Sequence, residues 1–339
     1  MAKLSTENEE EIRRLEPPNM QLEKICAAFR EEASKRLQKS ISEGQEADLR
    51  KKEEEKAARE RKEEIQKTQD WLDGLSPRRN HRHSTLSAAR QPGTGEWFVD
   101  LVSKMIDREG KKVVWTEGKP GVGKSMLMSA VIDHFSALLK NVDSAEASQA
   151  SGKTVALNIS HTTAFEAIAY TYFAYDDRVN QTPLSVFAQL LQQLYSKVAA
   201  LEEPLRKLRT ECKLDPPSSS QLLEILQKLP ATVLLAFDSL DEATPEVRDE
   251  LLTWIGKVQV TSPTLLVSTR RDIQPHDTPP GLVGYLVVEA NKGDMEAFIK
   301  AKIQADSSVQ RIIQRTLKHG AAEWMDNQVD QILNNAERM

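Results

Sequence analysis

Between residues 112 and 269 the chain alternates short unbroken apolar runs with longer segments whose apolar residues recur every three or four positions. The runs KVVWTE (Lys112–Glu117), AIAYTYFA (Ala167–Ala174), TVLLAF (Thr232–Phe237) and TLLVST (Thr264–Thr269) predict strands. The periodic segments Lys124–Leu139, Leu184–Ala200, Ser220–Leu229 and Pro245–Val258 predict helices. Strands apolar on both faces need cover on both faces, so the pattern predicts an α/β fold, a parallel sheet between two layers of helix. Ser219 and Ser220 precede QLLEILQKL as a helix N-cap. A further helix is expected from about Glu96, with Phe98, Leu101 and Ile106 on its apolar face, and the tail beyond about Gly293 reads as wholly helical.

Upstream the pattern changes. Leu22, Ile25, Phe29, Ala33, Leu37 and Ile41 form one apolar stripe at helical spacing, and Pro17 and Pro18 disfavour a helix start before them. Beyond Gly44 the stripe fades into DLRKKEEEKAARERKEEIQK, supported by pairs such as Glu55 with Arg59. A coiled coil or partner-binding helix is one reading of this arm. A solvated helical arm is the plainer one, because no heptad is sustained. From Asp70 to about Gly95, SPRRNHRHSTLSAARQPGTG is rich in turn formers and bases and reads as a linker. His81 and His83 lack an acidic or cysteine partner nearby in sequence, which favours a solvated loop over a metal site. The expected organisation is a charged helical arm (1–69), a linker and lead-in helix (70–110), the α/β domain (111–292) and a helical segment (293–339).

Composition narrows the class. A net charge of −5 argues against a general polyanion binder, and RRNHRH alone offers no groove-reading helix, so nucleic acid is not an expected partner. Two cysteines exclude a disulfide framework. The acidic start MAKLSTENEEEIRR lacks the features of a signal peptide, and no run reaches the ~20 apolar residues that span a bilayer. A soluble, cytoplasmic protein is expected.

The chemistry centres on WTEGKPGVGKSMLMSAVIDHF (Trp115–Phe135). Gly118, Gly121 and Gly123 stand with Lys124 and Ser125 at G-x-x-x-x-G-K-S spacing, between a predicted strand and a predicted helix. Glycines admit positive φ and let N–H groups approach an anion, and the helix N-terminus behind them adds its dipole. This is a Walker A loop, with Lys124 reaching the β- and γ-phosphates and the Ser125 hydroxyl a ligand for Mg²⁺. Candidate nucleotide contacts are Gly118, Lys119, Pro120, Gly121, Val122, Gly123, Lys124, Ser125 and Met126. The second Gly-Lys-hydroxyl run, Ser151–Thr154, lacks both the earlier glycine (Ala147 stands there) and a preceding strand.

A phosphate cradle predicts an acid at the end of another buried strand. In TVLLAFDSLDEA five apolar residues run into Asp238, whose carboxylate would share Mg²⁺ with Ser125. Glu242 is the candidate for orienting water, with Asp241 supporting it or the metal. Acids at a helix start before TPEVRDELL are the alternative account of Glu242, one that explains Asp238 poorly. The strand TLLVSTRR ends in Arg270 and Arg271, and Arg270 is the candidate γ-phosphate sensor.

With GKPGVGKS, FDSLDEA, LLVSTRRDI and the lead-in pieces TQDWL and GTGEWF, the chain resembles the NACHT class of STAND signalling NTPases, in the fungal, nephrocystin-type form. The resemblance spans about Asp70 to Gln304. Ser239, a small residue between Asp238 and the Asp-Glu pair, separates this pattern from most AAA+ ATPases. The resemblance implies a nucleotide switch that binds ATP or ADP (GTP is not excluded) with Mg²⁺, hydrolyses slowly and self-assembles, with protein partners met through the arm. It also implies a winged-helix segment and a repeat array after about residue 339, and a shorter connection where Asp143–Glu166 stands. The alternative expectation is an interaction module in which nucleotide is only structural support.

Overall fold

The computed structural model describes residues 18–76, 81–150, 165–212, 215–270, 273, 281–316 and 321–336. It divides into two compact units, Met1–Glu64 and Ile65–Met339. The first consists, among the described residues, of most of one long helix, α1 (Pro18–Leu75). Its surface carries ion pairs one turn apart, Glu31 with Lys35 and Glu32 with Arg36, each at 2.7 Å. The stripe residues Ile25, Phe29 and Leu37 are exposed.

The second unit follows the alternating pattern. Two helices, α2 (His81–Ala89) and α3 (Glu96–Asp107), precede strand β1 (Val113–Gly118) and helix α4 (Lys124–Ala150). Then come β2 (Ala167–Tyr172), α5 (Pro183–Tyr195), α6 (Glu202–Glu211), α7 (Ser219–Gln227) and β3 (Val233–Asp238). The chain continues through α8 (Pro245–Ile255), β4 (Thr264–Thr269), β5 (Val283–Val288), α9 (Lys292–Ala305), α10 (Ser307–Thr316) and α11 (Ala321–Ala336). The sheet is parallel with strand order β2-β3-β4-β1-β5.

Period-two alternation sorts the strand residues into two cores. Trp115, Leu235, Phe237 and Val267 meet α5, α7 and α8 on one face, joined by Leu72 from the end of α1. Val114, Leu234, Ala236 and Leu266 meet α3 and α4 on the other. Every residue of β3 and β4 is buried, which is why both read as unbroken apolar runs. All strands point the same way, so their C-terminal ends gather along one edge of the sheet, where the strand-end residues lie.

The α/β class and the parallel sheet are as expected, and several details differ. The stretch read as a linker is helical as α1 to Leu75 and again as α2, because its bases and serines find partners on α4 and β2. Leu101 is 40% exposed, and Val99 and Val102 take its place in the core. Ser218 rather than Ser219 or Ser220 caps α7, in a reciprocal capping box with Gln221. The expected helix Leu184–Ala200 stops at Tyr195, and β5 and α6 were not foreseen. Helix α4 runs on to Ala150, into the polar piece expected from Asp143. Residues 151–164, with the Ser151–Thr154 run, lie outside the described residues, as does Arg271.

At the sheet's margin, the Gln193 side chain from α5 pairs with β2 as a strand would. Its Oε1 accepts from Tyr170 N at 3.1 Å, and its Nε2 donates to Tyr170 O at 2.9 Å. No described helix is long and apolar enough to cross a membrane.

Candidate functional site

The glycine loop lies between β1 and the first turn of α4. Gly121 and Gly123 take φ of 82° and 92°, a left-handed backbone that disfavours residues with a Cβ. A Cβ on either would meet nothing within 4 Å, so the loop faces open space. Gly118 is required for another reason: a Cβ there would stand 2.8 Å from the carbonyl oxygen of Val288 on β5. We expect Gly118→Ala to lower unfolding stability by roughly 1–3 kcal/mol through this backbone clash, read as a lower urea midpoint. Lys124 curls over the loop, its Nζ donating to Gly118 O at 2.7 Å and Lys119 O at 3.1 Å.

Beneath the loop sits Asp238, 1% exposed at the end of β3. Ser125 Oγ donates to its Oδ2 at 2.6 Å, Ser268 Oγ to its Oδ1 at 2.6 Å, and Ser239 Oγ to Oδ2 at 3.2 Å. Burial raises the carboxyl's pKa, and the hydroxyl donors and the nearby Arg82 charge pull the other way. A carboxylate so placed gains from a cation, and the hydroxyl–carboxylate donor set suits a hard, oxygen-seeking one. Ser239, which follows, holds a left-handed backbone (φ 58°) and donates its N–H to Ser268 Oγ at 2.9 Å.

That turn carries the chain into Leu240–Glu242, one turn of 3₁₀ helix. Asp241 and Arg270 interlock: Arg270 N donates to Asp241 Oδ1 at 3.2 Å, and Nε lies 2.8 Å from Oδ2. Arg270 also reaches Glu242 Oε1 at 3.7 Å. The second Glu242 oxygen accepts from Tyr175 N at 3.2 Å, and Arg178 Nε donates to the Glu242 carbonyl at 3.3 Å. Burial lowers the Lys124 pKa, while the charges of Asp241, Asp238 and Glu242 raise it and that of Arg270 lowers it. The structure therefore gathers around one lysine the residues that the sequence placed on three separate strand ends.

Beside the loop opens an apolar cavity of about 430 Å³. Gly121 to Gly123, Met126 and Leu127 form one wall, Trp97 and Gly95 a second, and Phe298 and Leu333 a third. Asp294 Oδ2 joins two walls, accepting from Gly95 N at 3.1 Å and Trp97 Nε1 at 2.9 Å. Sequence reasoning named Gly121 to Gly123 and Met126 but missed the walls opposite them, and it also missed Ser268, Tyr175 and Arg178. Ser268 had a legible signal, as a hydroxyl within a strand buried on both faces, where it needs a partner. His83, expected in a solvated loop, is instead half-buried against Asp133 and Tyr172. Among the described residues, no group of three or more His, Cys, Asp or Glu side chains is arranged to hold a metal ion.

Residues 93–270, just over half of the chain, match the family model described as nephrocystin 3, N-terminal. The chain belongs to the nephrocystin 3 N-terminal family. The NACHT/STAND assignment inferred from the motifs holds with it. No curated protein matches the chain. Among solved structures it is similar to the structure of Drosophila ORC bound to DNA, at 17% identity and a TM-score of 0.38, over 81% of this chain and 62% of that one. It is also similar to the crystal structure of a signal transduction ATPase with numerous domains, a protein with a tetratricopeptide repeat sensor from Pyrococcus horikoshii. That match has 14% identity and a TM-score of 0.33, over 69% of this chain and 32% of the other. The chain thus spans less than two thirds of either structure.

Proposed function

We propose that this nephrocystin 3 N-terminal family member is a nucleotide-dependent switch that binds ATP with Mg²⁺ and hydrolyses it slowly. The observation that carries the reading is the 2.6 Å hydrogen bond from Ser125 to the buried Asp238 under an open loop of positive-φ glycines. Backbone N–H groups from Gly118 to Met126, with Lys124, would hold the phosphates. Ser125 and Asp238 would hold Mg²⁺, which when bound neutralises phosphate charge. Glu242 is the group that would orient water. Tyr175 and Arg178 hold it, and Asp241 keeps Arg270 beside it. The cavity walled by Trp97, Met126 and Phe298 is the proposed seat of the base, with adenine preferred and guanine the other purine the reading admits.

Arg270 bridges Asp241 and Glu242, and a γ-phosphate would compete with those acids for it. Triphosphate and diphosphate would then favour different arrangements of this end of the sheet. Self-association through the arm completes the switch reading. A second reading, a partner-binding module with nucleotide as structural support, is favoured by the exposed Ile25, Phe29 and Leu37 on α1.

Calorimetric titration of the chain with ATP and ADP, with Mg²⁺ and then with EDTA, tests the proposal. Saturable binding is expected, with EDTA weakening ATP by about tenfold or more. No binding of either nucleotide overturns the reading. Binding without turnover, together with self-association that persists in EDTA, favours the module.

A further inference from the structure

His83 belongs to the RRNHRH stretch that the apolar pattern leaves unassigned, yet its side chain is only 14% exposed. Its Nε2 lies 3.1 Å from Asp133 Oδ1 on α4, and its Nδ1 lies 2.9 Å from the Tyr172 hydroxyl at the end of β2. The ring packs on Tyr170, with centroids 4.6 Å apart. A carboxylate only accepts, so Nε2 carries the hydrogen and donates to Asp133, leaving Nδ1 to accept from Tyr172 O–H. The neutral imidazole is thus satisfied at both nitrogens.

The neighbours of this contact connect it to the phosphate loop. Ser125, Ser129 and Asp133 recur every four residues and form one polar stripe along α4. Ser125 bonds Asp238, Ser129 Oγ accepts from Arg90 Nη1 at 3.1 Å, and Asp133 bonds His83. Asp133 Oδ2 also receives Arg90 Nη2 at 2.9 Å and Ser87 Oγ at 2.8 Å. On the other side Tyr172 is the register partner of Asp238, and Arg82 Nη1 donates to Phe173 O at 3.1 Å. Helix α2 therefore straps the helix that carries Ser125 to the strand pair that carries Asp238.

We propose that His83 is a positioning residue for the nucleotide site: neutral, it keeps this strap closed, and protonated, it releases it, so that nucleotide affinity falls in mild acid through a side chain that touches no nucleotide. The proposal rests on the nucleotide reading above. The groups facing the imidazole are Asp133 from α4, Tyr170 and Tyr172 from β2, and Arg90 from its own segment, while the Arg82 charge acts on Tyr172. A proton on Nδ1 would confront the Tyr172 hydroxyl hydrogen, which would have to turn away. Asp133 favours the cation, but Arg90 already shares its charge. Burial, the largest influence, holds the imidazole below its ordinary range. The unfolded chain takes up the proton near the usual value of about 6.5, and the folded chain only at lower pH. The strap's contribution is therefore complete above that pH and is lost as the pH falls below it.

Two measurements on the full chain test this. Hydrogen exchange of residues 81–89, corrected for intrinsic rate, should lose about tenfold protection between about pH 7.5 and about pH 5.5, with MgADP affinity falling alongside. His83→Gln keeps a donor for Asp133 and does not titrate, so both responses should flatten. Tyr172→Phe preserves the packing and removes the hydroxyl that opposes the proton, so the fall should move to higher pH. An unchanged fall in His83→Gln, an unmoved fall in Tyr172→Phe, or flat exchange in the wild type overturns the strap. Exchange as expected with no MgADP binding at any pH keeps the pH-sensitive strap and overturns its positioning role together with the site.

Discussion

Lys124→Ala is expected to weaken ATP binding by about 100-fold or more, which corresponds to about 2.7 kcal/mol. The lysine sits at the centre of the site, its ammonium held 2.7 Å from Gly118 O over a loop in which the α-carbons of Gly121 and Gly123 face open space. Charge-assisted hydrogen bonds to phosphate are worth about 1.5–3 kcal/mol each, and alanine removes the donor without a substitute. Three acids surround the position, and without the cation their repulsion of an incoming polyphosphate is no longer offset. Calorimetry at neutral pH measures the change, and unchanged circular dichroism shows that the fold persists. Wild-type affinity in this variant would remove Gly118–Ser125 as the site.

Glu242→Gln is expected to lower turnover by about 100- to 1,000-fold while leaving ATP affinity within a few-fold, the range general-base catalysis supplies. The substitution preserves shape, and an amide oxygen still accepts from Tyr175 N. What it loses is the negative charge that can draw a proton from water and that interacts with Arg270 at 3.7 Å. Single-turnover hydrolysis with saturating nucleotide separates this effect from binding. Turnover at the wild-type rate would transfer the role to Asp241, whose carboxylate lies on the same turn.

The central strands were legible because burial on both faces leaves few alternatives to Val, Leu and Phe. β3 and β4 match the apolar runs almost to the residue for that reason. β5 carries the weaker imprint of a marginal strand, with Gly284 inside it and Tyr285 and Val287 exposed, and it went unread. The strand–loop–helix setting of the glycines and the buried strand-end place of Asp238 were legible because glycine spacing and an apolar run ending in an acid can both be read in one dimension. Their supports were not, because a hydrogen bond such as Tyr175 N to Glu242 uses a backbone group that no side chain advertises. The α2 region misled for a related reason. Arg82, His83, Ser87 and Arg90 look solvated in a one-dimensional reading, and only the meeting of α2 with α4 and β2 gives each a partner. The cavity walls come from segments some 200 residues apart and became visible only with the fold.

The two margins of the sheet are chemically unequal. At β2 the Gln193 amide already occupies both the N–H and the C=O of Tyr170, so an incoming strand must evict it before forming a ladder there. Fibre growth by sheet extension requires both rims of every copy, so each added molecule would have to break that clip. Gln193 thus closes this rim of the sheet at Tyr170 with side-chain hydrogen bonds in place of those a neighbouring strand would make.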